Sequence, residues 1–74
     1  MPRNDAKNLA ALCADVDALA GANHETVLTS LPNWDSLAVL LTISHFEHTH
    51  AVGITATQLR ACHTVRDLLD HLPR

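Results

Sequence analysis

The sequence predicts an all-α fold: a small antiparallel four-helix bundle with a short third helix and a long loop between helices 1 and 2. Apolar residues make up 47% of the chain but aromatics only 3%. A core of that composition rests on Leu, Val, Ile and Ala, which suits helices better than a sandwich of aromatic and β-branched strands. Two glycines and three prolines leave little material for hairpins or phosphate-cradling glycine loops. In the first and last segments, apolar residues recur at steps of three and four, the period of a helix with one buried face.

The 74 residues allow one domain, residues 1–74, with a limited core. The first helix is expected from about Asn4 to Leu19 or Ala20. Leu9, Leu12, Val16 and Leu19 form its stripe, Cys13 and Ala20 widen it, and Gly21 terminates it. From Ala22 to Asp35 the periodicity fails. Asn23, Thr26, Thr29, Ser30, Pro32 and Asn33 mark a long irregular connection, with Val27, Leu28 and Leu31 as anchors into the core. Loops of that length in compact domains are often functional.

The second helix is expected from Ser36 to about His50, with Asp35 or Ser36 as its N-cap. A short third helix begins at Thr55, where Thr55-Ala56-Thr57-Gln58 has capping-box spacing and Leu59 points inward. A fourth begins at Thr64, with Asp67 in the place of the capping-box acid. It buries Val65, Leu68, Leu69 and Leu72, and Pro73 stops it.

The second helix carries two apolar rows. Val39, Ile43, Phe46 and His50, with Thr42 beside them, share the face expected to cover the core. Leu37, Leu40, Leu41 and Ser44 lie around another side, with Glu47 and His48 further along. A bundle this small cannot bury both rows. The second is therefore expected as an exposed apolar strip, a contact surface.

Ser36 opens this helix. No glycine elbow surrounds it and no histidine adjoins it in sequence, so a hydrolytic nucleophile is unsupported and no enzyme activity is expected. Its position instead offers a hydroxyl at a helix N-terminus, where free amides and the dipole favour negative charge. A phosphoryl-type group attached by another enzyme would sit in a favourable field there.

Other classes are disfavoured by composition. Net charge is −3 and no Lys/Arg cluster exists, so nucleic acid is not an expected partner. No apolar run approaches the length of a membrane span, no signal peptide opens the chain, and a cytoplasmic monomer is expected. Cys13 and Cys62 lack metal or redox spacing and read as small buried hydrophobes. His45, His48 and His50 cluster in sequence, but His50 is rotated away from the other two. No further ligand completes a zinc set, so no metal is expected. Surface or partly buried histidines fit better.

Taken together, "WDSLAVLLTISHFEHTHAVGITATQLRACHTVRDLL" resembles the acyl carrier protein family, which includes peptidyl carrier domains. The likeness runs from about Leu31 to Leu72 and more loosely over the first helix. It rests on Asp35-Ser36-Leu37 opening the long helix, Phe46-Glu47 near its end, and Ala51-Val52-Gly53-Ile54 leading to the third helix. Leu59 follows, and then "HTVRDLL" (residues 63–69) looks like the family's Thr-Val-x-x-Leu entry to the last helix. The resemblance implies that Ser36, beside Asp35, accepts a covalent 4′-phosphopantetheine arm from coenzyme A, transferred by a separate magnesium-dependent phosphopantetheinyl transferase. The arm's thiol would hold acyl intermediates as thioesters. Acyl-loading, condensing and tailoring enzymes of fatty acid, polyketide or related specialised biosynthesis would read Asp35, Leu37, Leu40, Leu41, Ser44, Glu47 and His48. An aminoacyl or peptidyl carrier shares the same serine. An unmodified helical adaptor binding partners through Leu37, Leu40 and Leu41 is the remaining alternative.

This chain departs from the family in three ways. Its acidity is modest, Leu41 and His48 stand where acids are frequent, and His50 replaces a bulky aromatic. Partner association is therefore expected to depend weakly on salt. His50 is expected half-buried, with one nitrogen hydrogen-bonded or wet. The chain's start at Met1 and its end just after the last helix suggest a free-standing carrier.

Overall fold

A computed structural model describes residues 5–72. The protein is an all-α bundle of four helices: α1 (Asp5–Asp15), α2 (Ser36–His50), α3 (Ala56–Ala61) and α4 (Val65–Leu69). Helix α1 packs on α2 and α4, and α2 packs on α3. The expected start at Asn4 lies outside the described residues, whereas α4 ends at Leu69 with Asp70 as its C-cap, before the expected stop at Pro73. Among the described residues, no helix is long and apolar enough to cross a membrane.

The first helix is shorter than its periodicity suggests. It ends at Asp15; Val16 is extended (φ −117°, ψ 102°) and a 3-10 turn follows over Asp17–Leu19. A continuous helix would have put Asp15 and Asp17 at its C-terminal end with no basic residue in the last turn, where the partial negative charge of the carbonyls opposes carboxylates. The break keeps Val16 and Leu19 fully buried. Gly21 (φ 79°) follows the 3-10 turn, not the α-helix itself.

The long connection is tied down. Leu28 is buried, Val27 and Leu31 are half-buried, and Leu28–Ser30 forms a 3-10 turn. Val27 makes an isolated antiparallel bridge with Thr64. The amide of Leu28 donates to the His63 carbonyl at 2.9 Å, and those of Val65 and Arg66 donate to Thr26 (3.1 Å) and His24 (3.0 Å). The loop thereby supplies acceptors to the first-turn amides of α4, which have none within the helix.

Both later caps form as the sequence predicts. Thr55 and Gln58 close a capping box on α3, and Thr64 and Asp67 close one on α4. The two carboxylate bonds from the His63 and Thr64 amides hold the Asp67 pKa below its ordinary range. Leu59, Val65, Leu68, Leu69 and Leu72 are all buried and join Leu12, Val16, Leu19, Leu28 and Phe46 in one core. Cys13 and Cys62 are half-buried free thiols at its edge, less enclosed than the sequence suggests. Their sulfurs face the Ala22 and Gln58 carbonyls, and burial raises both thiol pKa values.

Candidate functional site: the N-terminal end of the second helix

Helix α2 occupies the expected Ser36–His50. Its N-cap is Asp35, extended at φ −119° and ψ −170°, whose carboxylate accepts the Ala38 amide at 3.0 Å. Ser36 is thus the first helical residue, and it is exposed, as is Asp35. The amides of Ser36 and Leu37 have no acceptor inside the helix. In contrast to α4, no loop carbonyl among the described residues reaches them. The start of α2 combines an exposed serine, two amides without a backbone acceptor among the described residues and the positive end of a 15-residue helix.

The two faces of α2 separate as the sequence predicts. Val39, Thr42 and Phe46 are buried, and Ile43 and His50 are half-buried. Leu37, Leu40 and Leu41 are 64%, 61% and 42% exposed, and Ser44, Glu47 and His48 are exposed beside them. All six sequence-selected surface residues therefore share the solvent side of the helix that Ser36 opens.

Two clefts flank this end. One, of about 290 Å³, lies between the start of α2, the Leu28–Ser30 turn and α3; Ser36, Trp34, Arg60 and Cys62 line it. The other, of about 260 Å³, lies against the 3-10 turn after α1 and is lined by Asp35, Leu37, Leu41 and Asp17. A depression of about 330 Å³ between α3 and α4 shares Cys62 with the first cleft but is not lined by Ser36; its Asp67 serves the α4 cap. The sequence does not single out Trp34 or Arg60. Trp34 stands directly before the Asp35 cap, a usable signal, whereas Arg60 reaches the site only because α3 packs on α2.

The histidines differ from expectation. His45 is buried, 4% exposed, not at the surface. Its Nδ1 meets the Asp15 carboxylate at 2.5 Å, joining the end of α1 to the middle of α2. A hydrogen bond to that carboxylate takes Nδ1–H as its donor, and the buried Nε2 finds no partner among the described residues. His50 is not held apart from it: the two rings lie 5.4 Å apart, and both lean on Phe46 at 6.2 and 6.0 Å. His50 is half-buried, as expected, and its Nε2 is buried without a hydrogen-bond partner among the described residues. Burial first, then His45, lowers its pKa. Among the described residues no group of three or more His, Cys, Asp or Glu is placed to hold a metal ion.

Comparisons of the chain with protein-family models, curated proteins and solved structures returned no match.

Proposed function

We propose that this protein is a carrier: a small helical domain that holds acyl intermediates as thioesters on a 4′-phosphopantetheine arm attached to Ser36. The observation that carries the reading is the exposed Ser36 at the first position of the longest helix, beside two amides without a backbone acceptor among the described residues. A phosphodiester formed there gains from the helix dipole and from those donors. In the attachment step Ser36 Oγ gives up its proton and forms the new P–O bond as the nucleotide half of coenzyme A leaves. A phosphopantetheinyl transferase supplies the catalysis. The bound arm contributes a terminal thiol on which acyl groups are carried.

The exposed Leu37, Leu40 and Leu41, continued by Ser44, Glu47 and His48, support recognition by loading, condensing and tailoring enzymes through apolar contact. Contiguous exposed leucines beside a modification site are otherwise a solubility liability. Fatty acid, polyketide or related specialised synthesis in the cytoplasm is the setting this reading favours. An aminoacyl or peptidyl carrier uses the same serine and differs in its loading enzyme.

Incubation with coenzyme A, magnesium and a broad-specificity transferase, followed by intact-mass measurement, tests the reading. A carrier gains one phosphopantetheine mass, and Ser36→Ala abolishes the gain. A protein that gains no mass yet binds partners through its leucines is an unmodified adaptor, and the carrier reading fails.

A further inference from the structure

We propose that His50 is an acid-operated latch at the C-terminal end of α2: neutral, its ring lies against His45 and Phe46; protonated, it turns out to the helix terminus and leaves them. The structure shows the closed form. The His50 ring stands edge-on to His45 at 5.4 Å and to Phe46 at 6.0 Å, and Phe46 is fully buried. Just beyond, the amides of Ala51 and Val52 donate to the Glu47 and Phe46 carbonyls at 3.1 Å each. Those two bonds tie the latch to the connection that leads into α3. The latch does not depend on any modification of Ser36.

The two positions of the ring favour opposite charge states. In a charged imidazole both nitrogens are donors. Inside, Nε2 is buried with no hydrogen-bond partner among the described residues, so the imidazolium would bury an unpaired N–H together with its charge. Outside, the balance reverses. His50 is the last residue of α2, where the terminal carbonyls attract a cation, and the exposed Glu47 stands three residues earlier. A proton therefore moves the ring from one position to the other.

The other charged groups leave His50 as the operating one. Helices α1 and α3 pack on α2. From α1, Asp15 is engaged by His45 Nδ1, Asp5 acts on Arg66 of α4, Lys7 is exposed, and the Cys13 thiol turns to the Ala22 carbonyl. Helix α3 brings one charge, Arg60, which lines the cleft at the Ser36 end of α2. Residues 51–55 carry no titratable side chain, and on α2 itself His48 is exposed. Burial and then His45 hold the His50 pKa below its ordinary 6.5. The closed form thus binds a proton more weakly than the open one, and acid drives opening below about pH 6.5.

An NMR titration of the full chain from about pH 7.5 to 5 tests the latch. It follows the His50 and Phe46 rings and the hydrogen-exchange protection of the Val52 amide, corrected for the intrinsic exchange rate. One linked proton changes the opening equilibrium by at most about tenfold per pH unit. Val52 protection should fall toward that limit below about pH 6.5, with the Phe46 ring signals moving at the same midpoint as His50. The methyl signals of Leu12 and Leu68, both fully buried, should stay native. His50→Phe keeps a ring without a titrating group and should hold Val52 protected throughout. His50→Gln lacks the ring and should show low protection that does not change with pH. A His50 that titrates while Phe46 and Val52 stay still overturns the latch. So does a pH response of Val52 that survives in either variant. Loss of the native Leu12 and Leu68 signals together with Val52 protection would mean global unfolding, and the latch fails as well.

Discussion

Asp35 is the residue on which the helix start and the candidate site converge, and two substitutions separate its roles. Asp35→Ala removes the oxygen that accepts the Ala38 amide at 3.0 Å, and loss of an N-cap costs about 1 kcal/mol. Domains hold roughly 0.05–0.15 kcal/mol per residue, so a chain of 74 residues has roughly 4–11 kcal/mol in all. The loss should lower Tm by about 4–8 °C. Asp35→Asn keeps an equally good capping oxygen and removes only the charge, whose interaction with the helix dipole is worth about 0.3–1 kcal/mol at an exposed site. Its Tm should fall by about half as much. Thermal unfolding followed by circular dichroism at pH 7 measures both. An Asp35→Asn protein as destabilised as Asp35→Ala would refute the hydrogen-bond account, and two unshifted variants would show that α2 does not depend on its cap. Modification rates on the same proteins add the functional half: if Asp35 also contacts the transferase, Asp35→Asn should accept the arm more slowly although its fold is nearly intact.

Acidification should destabilise the fold in two windows. His50 has a folded pKa below its ordinary 6.5, so the unfolded chain binds more protons and stability declines as pH drops below about 6.5. The lowered Asp67 pKa gives stability that is present above its unfolded value of 3.8 and is lost as pH falls through the folded one. A pH series of Tm values should show the first decline vanish in His50→Leu. Ala51 closes α2 at φ 56° and ψ 34°, a left-handed conformation that penalises a Cβ, so Ala51→Gly should raise stability by about 0.5–1 kcal/mol in urea unfolding. Leu59→Ala, at a fully buried position, should cost about 2–5 kcal/mol. Leu40→Ala, 61% exposed, should stay within about 0.5 kcal/mol of the parent while weakening transferase binding in titration calorimetry. The same titration repeated at rising salt should change little, because the proposed contact strip is apolar.

Helices α2, α3 and α4 were legible because their signals are local. Asp35, Thr55 and Thr64 each bond an amide three residues on, and such bonds depend on spacing alone. The exposure of Leu37, Leu40 and Leu41 was equally legible, since a helix of known phase cannot turn both rows inward. The end of α1 was not. Leu9, Leu12, Val16 and Leu19 keep a helical period, but Val16 and Leu19 can reach the same core from an extended residue and a 3-10 turn. His45 eluded sequence reasoning because its partner, Asp15, stands 30 residues away on another helix.

The amino-acid order therefore determined where the helices start, which of their faces are apolar, and that a serine stands at the head of the longest one. These follow from hydrogen bonds and periodicities spanning a few residues. Tertiary structure decided what surrounds that serine. The loop carbonyls that satisfy the start of α4 leave the start of α2 open. Packing of α3 on α2 brings Arg60 and Cys62 to the same cleft as Trp34 and Ser36. No local rule encodes those juxtapositions, because each depends on how separate helices bury their leucines against one another.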